Sequence, residues 1–206
     1  MTAPREAVLR AACEALAATD PELKQAYGKV DLPNWRGRPA NYQSLAQIVV
    51  YQLISTKAAD AIWGRVCARH TELTPRAVLA DDPERLLACG LSRPKLGHLI
   101  AIAEAVQSGV LDFDVLAQIP IDAARKRLVS VRGIGPWTAE TFLMTALGHL
   151  DAFPHGDVGL MEAHKRLSGA EARLSAKAFS ELADGWRPHR AVAAHLLYDW
   201  LHSVRD

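Results

Sequence analysis

The chain has 206 residues, half of them hydrophobic, with 24 Lys and Arg against 23 Asp and Glu. That is enough apolar material for one large core or two small ones, and no apolar run approaches the roughly 20 residues a membrane span needs. A net charge of +1 rules out a bulk polycation, so any contact with nucleic acid must rest on local patches.

The three cysteines, Cys13, Cys67 and Cys89, are far apart and odd in number. They offer neither a disulfide framework nor zinc-ligand spacing, so they read as small buried hydrophobes and no metal site is expected. The first residues, MTAPREAVLR, lack the apolar stretch of a signal peptide. A cytoplasmic location is expected, nucleoid-associated if the source is bacterial.

In chain order the punctuation is helical. Asp20-Pro21 opens a helix that Gly28 can close. Thr74-Pro75 and Asp82-Pro83 repeat this cap-then-proline start, and Gly90 can close the second. Asn41 can cap a helix in which Tyr42, Leu45, Ile48, Val49 and Leu53 recur at helical spacing. Ser55 can cap the next, with Ala59, Ile62 and Val66 on one face. A longer helix over 92–108 ends at Gly109, and further helices are predicted over 122–130, 136–148, 158–167, 175–184 and 188–204. No stretch alternates with period two and no Asn-Gly or Asp-Gly hairpin occurs, so the fold class is all-α. The extended stretch 29–41 reads as a crossing between lobes. The expectation is two helical lobes around a cleft: a discontinuous lobe of 1–40 and 150–206, and a helical bundle of 41–149.

The segment LVSVRGIGPWTA, residues 128–139, carries the most information. Two helices flank the turn Gly133-Ile134-Gly135, where the glycines allow a tight turn and a close backbone approach. Ile134 can tuck between the helices. Pro136 suits the first turn of the second helix, whose N-terminal amides form a ready anion site. Leu128, Val131, Gly133, Ile134, Gly135 and Ala139 together match a helix-hairpin-helix, a motif that binds DNA backbone without regard to sequence. Basic residues gather near it (Arg125, Lys126, Arg132) and at Arg36/Arg38, Lys165/Arg166 and Arg187/His189/Arg190. Each of these clusters alone reads as a solvated helix face before it reads as a phosphate site.

Downstream, Phe153-Pro154-His155-Gly156-Asp157 leads into a helix that Asp157 should cap. A cap and a catalytic carboxylate are compatible readings, because capping immobilises the carboxylate and favours its charged form.

These segments together resemble the HhH-GPD DNA glycosylase superfamily, and within it the AlkA-type 3-methyladenine DNA glycosylases in a compact form without an N-terminal β domain. The resemblance runs from about residue 20 to residue 200. Tyr42 through Ser55 resembles the family's Gln-x-x-Ser segment, and Gly90-Leu91-Ser92 with Lys95 its loop-and-lysine segment. Trp186-Arg187-Pro188-His189-Arg190 resembles the start of its last helix.

The resemblance implies that Asp157 is the catalytic aspartate and that Leu53, after Gln52, is the wedge filling the gap left by an extruded nucleotide. It places Trp137 and Tyr198 on the pocket wall and Thr141 where AlkA has a pocket tyrosine, with Trp35 and Tyr42 as further pocket candidates. For each aromatic, core packing stays open as the alternative. The DNA-contacting set comprises Gln52, Leu53, Ser55, Arg132, Gly133, Ile134, Gly135, Trp137 and Thr138.

Superfamily members that also cut the strand carry a lysine just after the hairpin, where this chain has Trp137, so a monofunctional enzyme is expected. Other members bind an iron–sulfur cluster through four cysteines near the C-terminus; no cysteine follows Cys89, so no cluster is expected. In relatives a monovalent cation sits on the hairpin carbonyls, and for this chain that point stays open. The implied function is hydrolysis of the N-glycosidic bond of alkylated purines in double-stranded DNA, by a monomer without membrane attachment. A non-catalytic helix-hairpin-helix DNA binder is the main alternative. A metal-dependent nuclease, suggested by Asp81-Asp82 or by His155 near Asp157, is a third.

Overall fold

The computed structural model describes residues 4–70 and 72–204; residues 1–3, 71, 205 and 206, which fall within the ranges of the expected lobes, lie outside the described residues. The described residues form helices and connecting loops, with no strand among them. In order the helices are α1 (Glu6–Thr19), α2 (Pro21–Val30), α3 (Tyr42–Tyr51), α4 (Thr56–Arg69), α5 (Pro75–Ala80), α6 (Pro83–Ala88), α7 (Arg93–Gln107), α8 (Phe113–Leu116), α9 (Ile121–Val129), α10 (Pro136–Thr145), α11 (Val158–Ser168), α12 (Ala176–Ala183) and α13 (Arg190–Ser203), with a 3-10 turn at Asp184–Trp186.

Local chemistry sets most of the starts. Asp20, Asn41, Ser55, Thr74, Asp82 and Ser92 each accept a hydrogen bond from a first-turn amide of the helix they precede. Each such cap stabilises its helix by about 1 kcal/mol. Several ends differ from expectation. Gly28 does not close α2, which runs on to Val30 until Asp31, at φ 59°, turns the chain. The stretch without helix is accordingly 31–41. Helix α10 stops at Thr145, where the amides of Ala146 and Leu147 both turn to the Phe142 carbonyl. Helix α13 begins at Arg190, two residues later than the pattern implies.

The chain divides into two units, residues 1–37 with 148–206, and residues 38–147. In the discontinuous unit α13 packs against α1, α2 and α11. Its residues are buried nearly all round, Ala191 through Leu197 without a break, as befits a helix surrounded by others. Phe153, Phe179 and Trp186 form an aromatic cluster with ring centroids 5.3–5.8 Å apart. The Trp186 indole donates to Asp20 Oδ2 at 2.7 Å, while Asp20 Oδ1 caps α2. Arg190 is buried and clamps Asp151 through both its side chain and its carbonyl.

The continuous unit is a bundle in which α3 packs on α4, α7 and α10, and α9 on α10. Leu45, Val49, Leu99, Leu128 and Phe142 are fully buried at its centre, each worth about 1.5–3 kcal/mol on removal from water. Buried Glu140 on α10 is held by Arg125 on α9, which ties the two arms of the hairpin together.

Candidate nucleic-acid interface and carboxylate site

In the continuous unit the turn between α9 and α10 is built from the backbone. Gly133 has φ 94°, and a Cβ there would lie 2.4 Å from His98 Cβ, so both conformation and space demand glycine. Ile134 is 3% exposed and its amide closes the turn onto the Val131 carbonyl at 3.1 Å. Gly135 differs: its φ is an ordinary −82°, and a Cβ there would meet nothing within 4 Å. It precedes Pro136 and brings no side-chain cap to α10, so the helix N-terminus faces outward beneath an exposed glycine and the exposed Arg132. A shallow depression runs along this turn, lined by residues 129–135 with Gln52 and His98.

Gln52 braces the hairpin. Its side-chain amide donates to Thr138 Oγ1 at 2.6 Å and to the Gly133 carbonyl at 3.3 Å. Thr138, expected at the DNA surface, is 1% exposed; its hydroxyl is engaged by Gln52, so only its main chain can serve a ligand. The next residue, Leu53, has φ 58° and a fully exposed side chain. A branched residue rarely adopts this backbone conformation, and such strain concentrates at functional positions. Lys95 Nζ donates to the Val50 carbonyl at 2.6 Å, a cation on the last turn of α3 where the helix dipole favours one. Burial lowers the pKa of its ammonium. Ser55, exposed, caps α4. The loop bearing Leu53 is therefore held at both ends.

Tyr42 is not a pocket residue. It is buried in the bundle and its hydroxyl donates to the Leu99 carbonyl at 2.9 Å. Trp137 and Thr141, one turn apart on α10, are both half-buried, and the Thr141 hydroxyl donates to the Trp137 carbonyl at 2.7 Å. This leaves the methyl group as the free part of Thr141.

The discontinuous unit holds the carboxylate. The loop before α11 is anchored by buried Phe153 and closed by the Asp157 amide on the Pro154 carbonyl at 2.8 Å. Asp157 Oδ1 accepts the Leu160 amide at 3.0 Å, so the aspartate does cap α11. Tyr198, half-buried on α13, has its hydroxyl near the same carboxylate. Burial of that hydroxyl, with the nearby charge of Asp157, raises the Tyr198 pKa well above the ordinary phenol value, against the opposing charge of Arg36.

Gly159 lies against both groups: a Cβ there would stand 3.0 Å from Asp157 Oδ1 and 3.6 Å from Tyr198 Cε1. The Arg36 guanidinium sits 5.5 Å over the Tyr198 ring and is ion-paired with Asp199, which also accepts the Asn34 amide at 2.6 Å. Trp35 stacks on His195 with centroids 4.2 Å apart. Buried His195 directs Nδ1 at the Ala191 carbonyl, 3.0 Å away, and burial lowers its pKa to about 4. The imidazole is therefore neutral near pH 7, with the proton on Nδ1, since a carbonyl can only accept.

The structure thus gathers Asp157, Tyr198 and Trp35 in one unit, and Gln52, Leu53, Trp137 and the hairpin in the other. Sequence reasoning missed Arg36, His195 and Asp199 as members of the carboxylate's surroundings. A signal existed: His195, Tyr198 and Asp199 share one face of an otherwise apolar helix. Asp81 and Asp82, considered as metal ligands, are engaged otherwise: Asp81 pairs with Arg69 and His70, and Asp82 caps α6.

A helical protein with a glycine-built hairpin and a capped aspartate downstream has the organisation of a helix-hairpin-helix DNA repair protein. The family model described as "HhH-GPD superfamily base excision DNA repair protein" matches residues 46–188, and the chain belongs to that superfamily. A probable bifunctional transcriptional activator/DNA repair enzyme AlkA of Mycobacterium tuberculosis is 33% identical, over 94% of this chain and 40% of the relative. The chain therefore spans less than half the length of that protein. Among solved structures, 3-methyladenine DNA glycosylase of Schizosaccharomyces pombe in complex with abasic DNA superposes with a TM-score of 0.83 at 26% identity, covering 91% of this chain and 94% of that one. DNA-3-methyladenine glycosidase of Bacillus halodurans matches with a TM-score of 0.78 at 31% identity, over 94% and 90% of the two chains.

Proposed function

We propose that the protein is a monofunctional DNA glycosylase that hydrolyses the N-glycosidic bond of alkylated purines in double-stranded DNA, acting as a monomer with Asp157 as its catalytic carboxylate. The observation that carries this reading is the placement of Asp157. In a chain of this superfamily, the carboxylate stands at a helix N-terminus and accepts a hydrogen bond from the Leu160 amide. The names of the Schizosaccharomyces and Bacillus relatives support the substrate class.

Binding begins at the hairpin. Its outward helix N-terminus and Arg132 take phosphates, which position the duplex without reading bases. Gly135 supports this role, because nothing inside the protein requires a glycine there; an approaching backbone outside it would. The target nucleotide then leaves the stack at a cost of a few kcal/mol, partly offset as exposed Leu53 fills the gap. Alkylation at a ring nitrogen makes the purine cationic and already a good leaving group, which lessens the need for a general acid. As the bond breaks, positive charge grows on the sugar, and the fixed carboxylate of Asp157 stabilises it and helps orient the attacking water. In the discontinuous unit the aromatic faces of Tyr198 and Trp35 favour a cationic base, although Arg36 lies over the Tyr198 ring and His195 stacks on Trp35. With Trp137 in place of a lysine, no Schiff base forms and the strand stays intact.

A hairpin-bound monovalent cation would use main-chain carbonyls such as that of Val131, which accepts the Ile134 amide and keeps a second lone pair. Neutral oxygens of this kind suit a hard cation, which would stiffen the turn and takes no part in the steps above. The test is base release from duplexes carrying methylated purines, ethenoadenine or hypoxanthine, with wild type beside Asp157→Asn. Release by wild type alone, with strand breaks only after alkali, supports the reading. Release from none of the duplexes, or equal release by both proteins, overturns it.

A further inference from the structure

We propose that Gln52 is the positioning residue of Leu53: its side-chain amide ties the exposed, strained leucine to the hairpin, so that phosphate grip and wedge reach the duplex as one preset piece. The inference rests on the proposed reading of Leu53 as the wedge of a glycosylase, and it deepens that reading. A leucine at φ 58° needs something to hold it there, because such a backbone state persists only where its surroundings impose it. The side chain is fully exposed, so no packing of its own can do so. The hold must come from the residues on either side.

Those residues are gripped from the hairpin, from α7 and from α4. Gln52, which follows α3, spends its side-chain amide on the hairpin, donating to Thr138 Oγ1 at 2.6 Å and to the Gly133 carbonyl at 3.3 Å. One partner belongs to the first turn of α10 and the other to the glycine turn, the two pieces that frame the outward amides of the proposed phosphate site. The main-chain amide of Gln52 turns back to the Val49 carbonyl at 3.3 Å. From α7, Lys95 Nζ donates to the Val50 carbonyl at 2.6 Å. Beyond Leu53, Ser55 caps α4 by accepting the Ala58 amide at 3.3 Å. A free loop would lose its mobility only on inserting into DNA, at an entropic cost, whereas a loop ordered beforehand avoids that cost. Thr138 is 1% exposed, so its hydroxyl acts on the duplex only through Gln52.

Gln52→Ala removes the tie from one end and Thr138→Val from the other, while Leu53→Ala removes the wedge itself. Nucleotide extrusion is read at saturating protein by the fluorescence of 2-aminopurine beside a methylated purine. Single-turnover base release, affinity for undamaged duplex and thermal unfolding are measured alongside. Gln52→Ala and Thr138→Val should each lower extrusion and base release several-fold, while undamaged duplex binds as it does to wild type. With Gln52→Ala and Leu53→Ala combined, the loss should equal that of Leu53→Ala alone, because a residue acting through another adds nothing once that other is gone. Losses that multiply in the double variant mean that Gln52 serves the duplex by itself, and they overturn the positioning role. Normal extrusion by Gln52→Ala or Thr138→Val overturns it as well. So does a fall in affinity and unfolding temperature with extrusion of the bound duplex unchanged. A wild type that extrudes the base without releasing it overturns the glycosylase reading, and the extrusion comparison still decides the role of Gln52. A wild type that does neither overturns both.

Discussion

The hairpin of the 38–147 unit and the carboxylate site of the other unit are built from different materials. The hairpin consists of backbone: two glycines, a turn amide on the Val131 carbonyl and a helix N-terminus, all within a few residues. The carboxylate site consists of side chains from distant parts of the chain, with Arg36 and Asp199 lying 163 positions apart. A backbone device recognises what every duplex offers, the phosphate spacing, and tolerates most side-chain changes around it. A side-chain device places one charge at one reacting atom, where small displacements are costly. Substitutions should therefore separate the two: those at the hairpin change affinity, and those near Asp157 change rate.

The sharpest separation is expected from Asp157→Asn. Asparagine caps a helix as well as aspartate does, so α11 and duplex binding should persist while base release falls on the order of 10²-fold or more. An equal fall in affinity, measured by equilibrium titration, would break the division of labour.

Next comes a stability effect confined to the discontinuous unit. His195 is buried and neutral, with its pKa lowered to about 4 from about 6.5 in an unfolded chain. Between these values the unfolded state binds the extra proton, so stability falls as pH drops from 6.5 towards 4, by on the order of 3 kcal/mol. Urea unfolding at several pH values checks this, and His195→Leu should flatten that part of the dependence.

A glycine pair tests the hairpin. Gly133→Ala drives a methyl group into His98 at a strained φ, and should destabilise the bundle by roughly 1–3 kcal/mol. Gly135→Ala meets no protein atom and should leave the unfolding temperature nearly unchanged while weakening duplex binding several-fold. If Gly135→Ala binds normally, the phosphate-approach argument fails. The smallest folding effect is expected for Leu53→Ala, because the removed side chain touches solvent. Stability should stay within about 0.5 kcal/mol of wild type, with base release slowed several-fold for loss of the wedge.

Helix α1 carries no start signal of the usual kind. Its N-cap, Arg5, makes no side-chain cap bond, so the helix rests on packing rather than on a local terminus. Helix α8 has a good cap in Asp112 but only four residues, too few to establish a period. The corrected residues share one cause. Tyr42 and Thr138 belong to segments that resemble functional motifs, but burial turned the Tyr42 hydroxyl onto Leu99 and the Thr138 hydroxyl onto Gln52. Their side chains support the interface from inside.

Most helix starts, the glycine turn and the cap at Asp157 are legible in the residues alone, because capping and φ preferences act over three or four residues and need no partner beyond them. Packing between helices settles that Leu53 is exposed and strained, that Gln52 braces the hairpin, and that Arg36 lies over the Tyr198 ring. Those relations depend on which faces of α3 and α10 are buried against each other in one unit, and of α11 and α13 in the other. That choice is made by the packing of the whole apolar set, and no short stretch of residues encodes it.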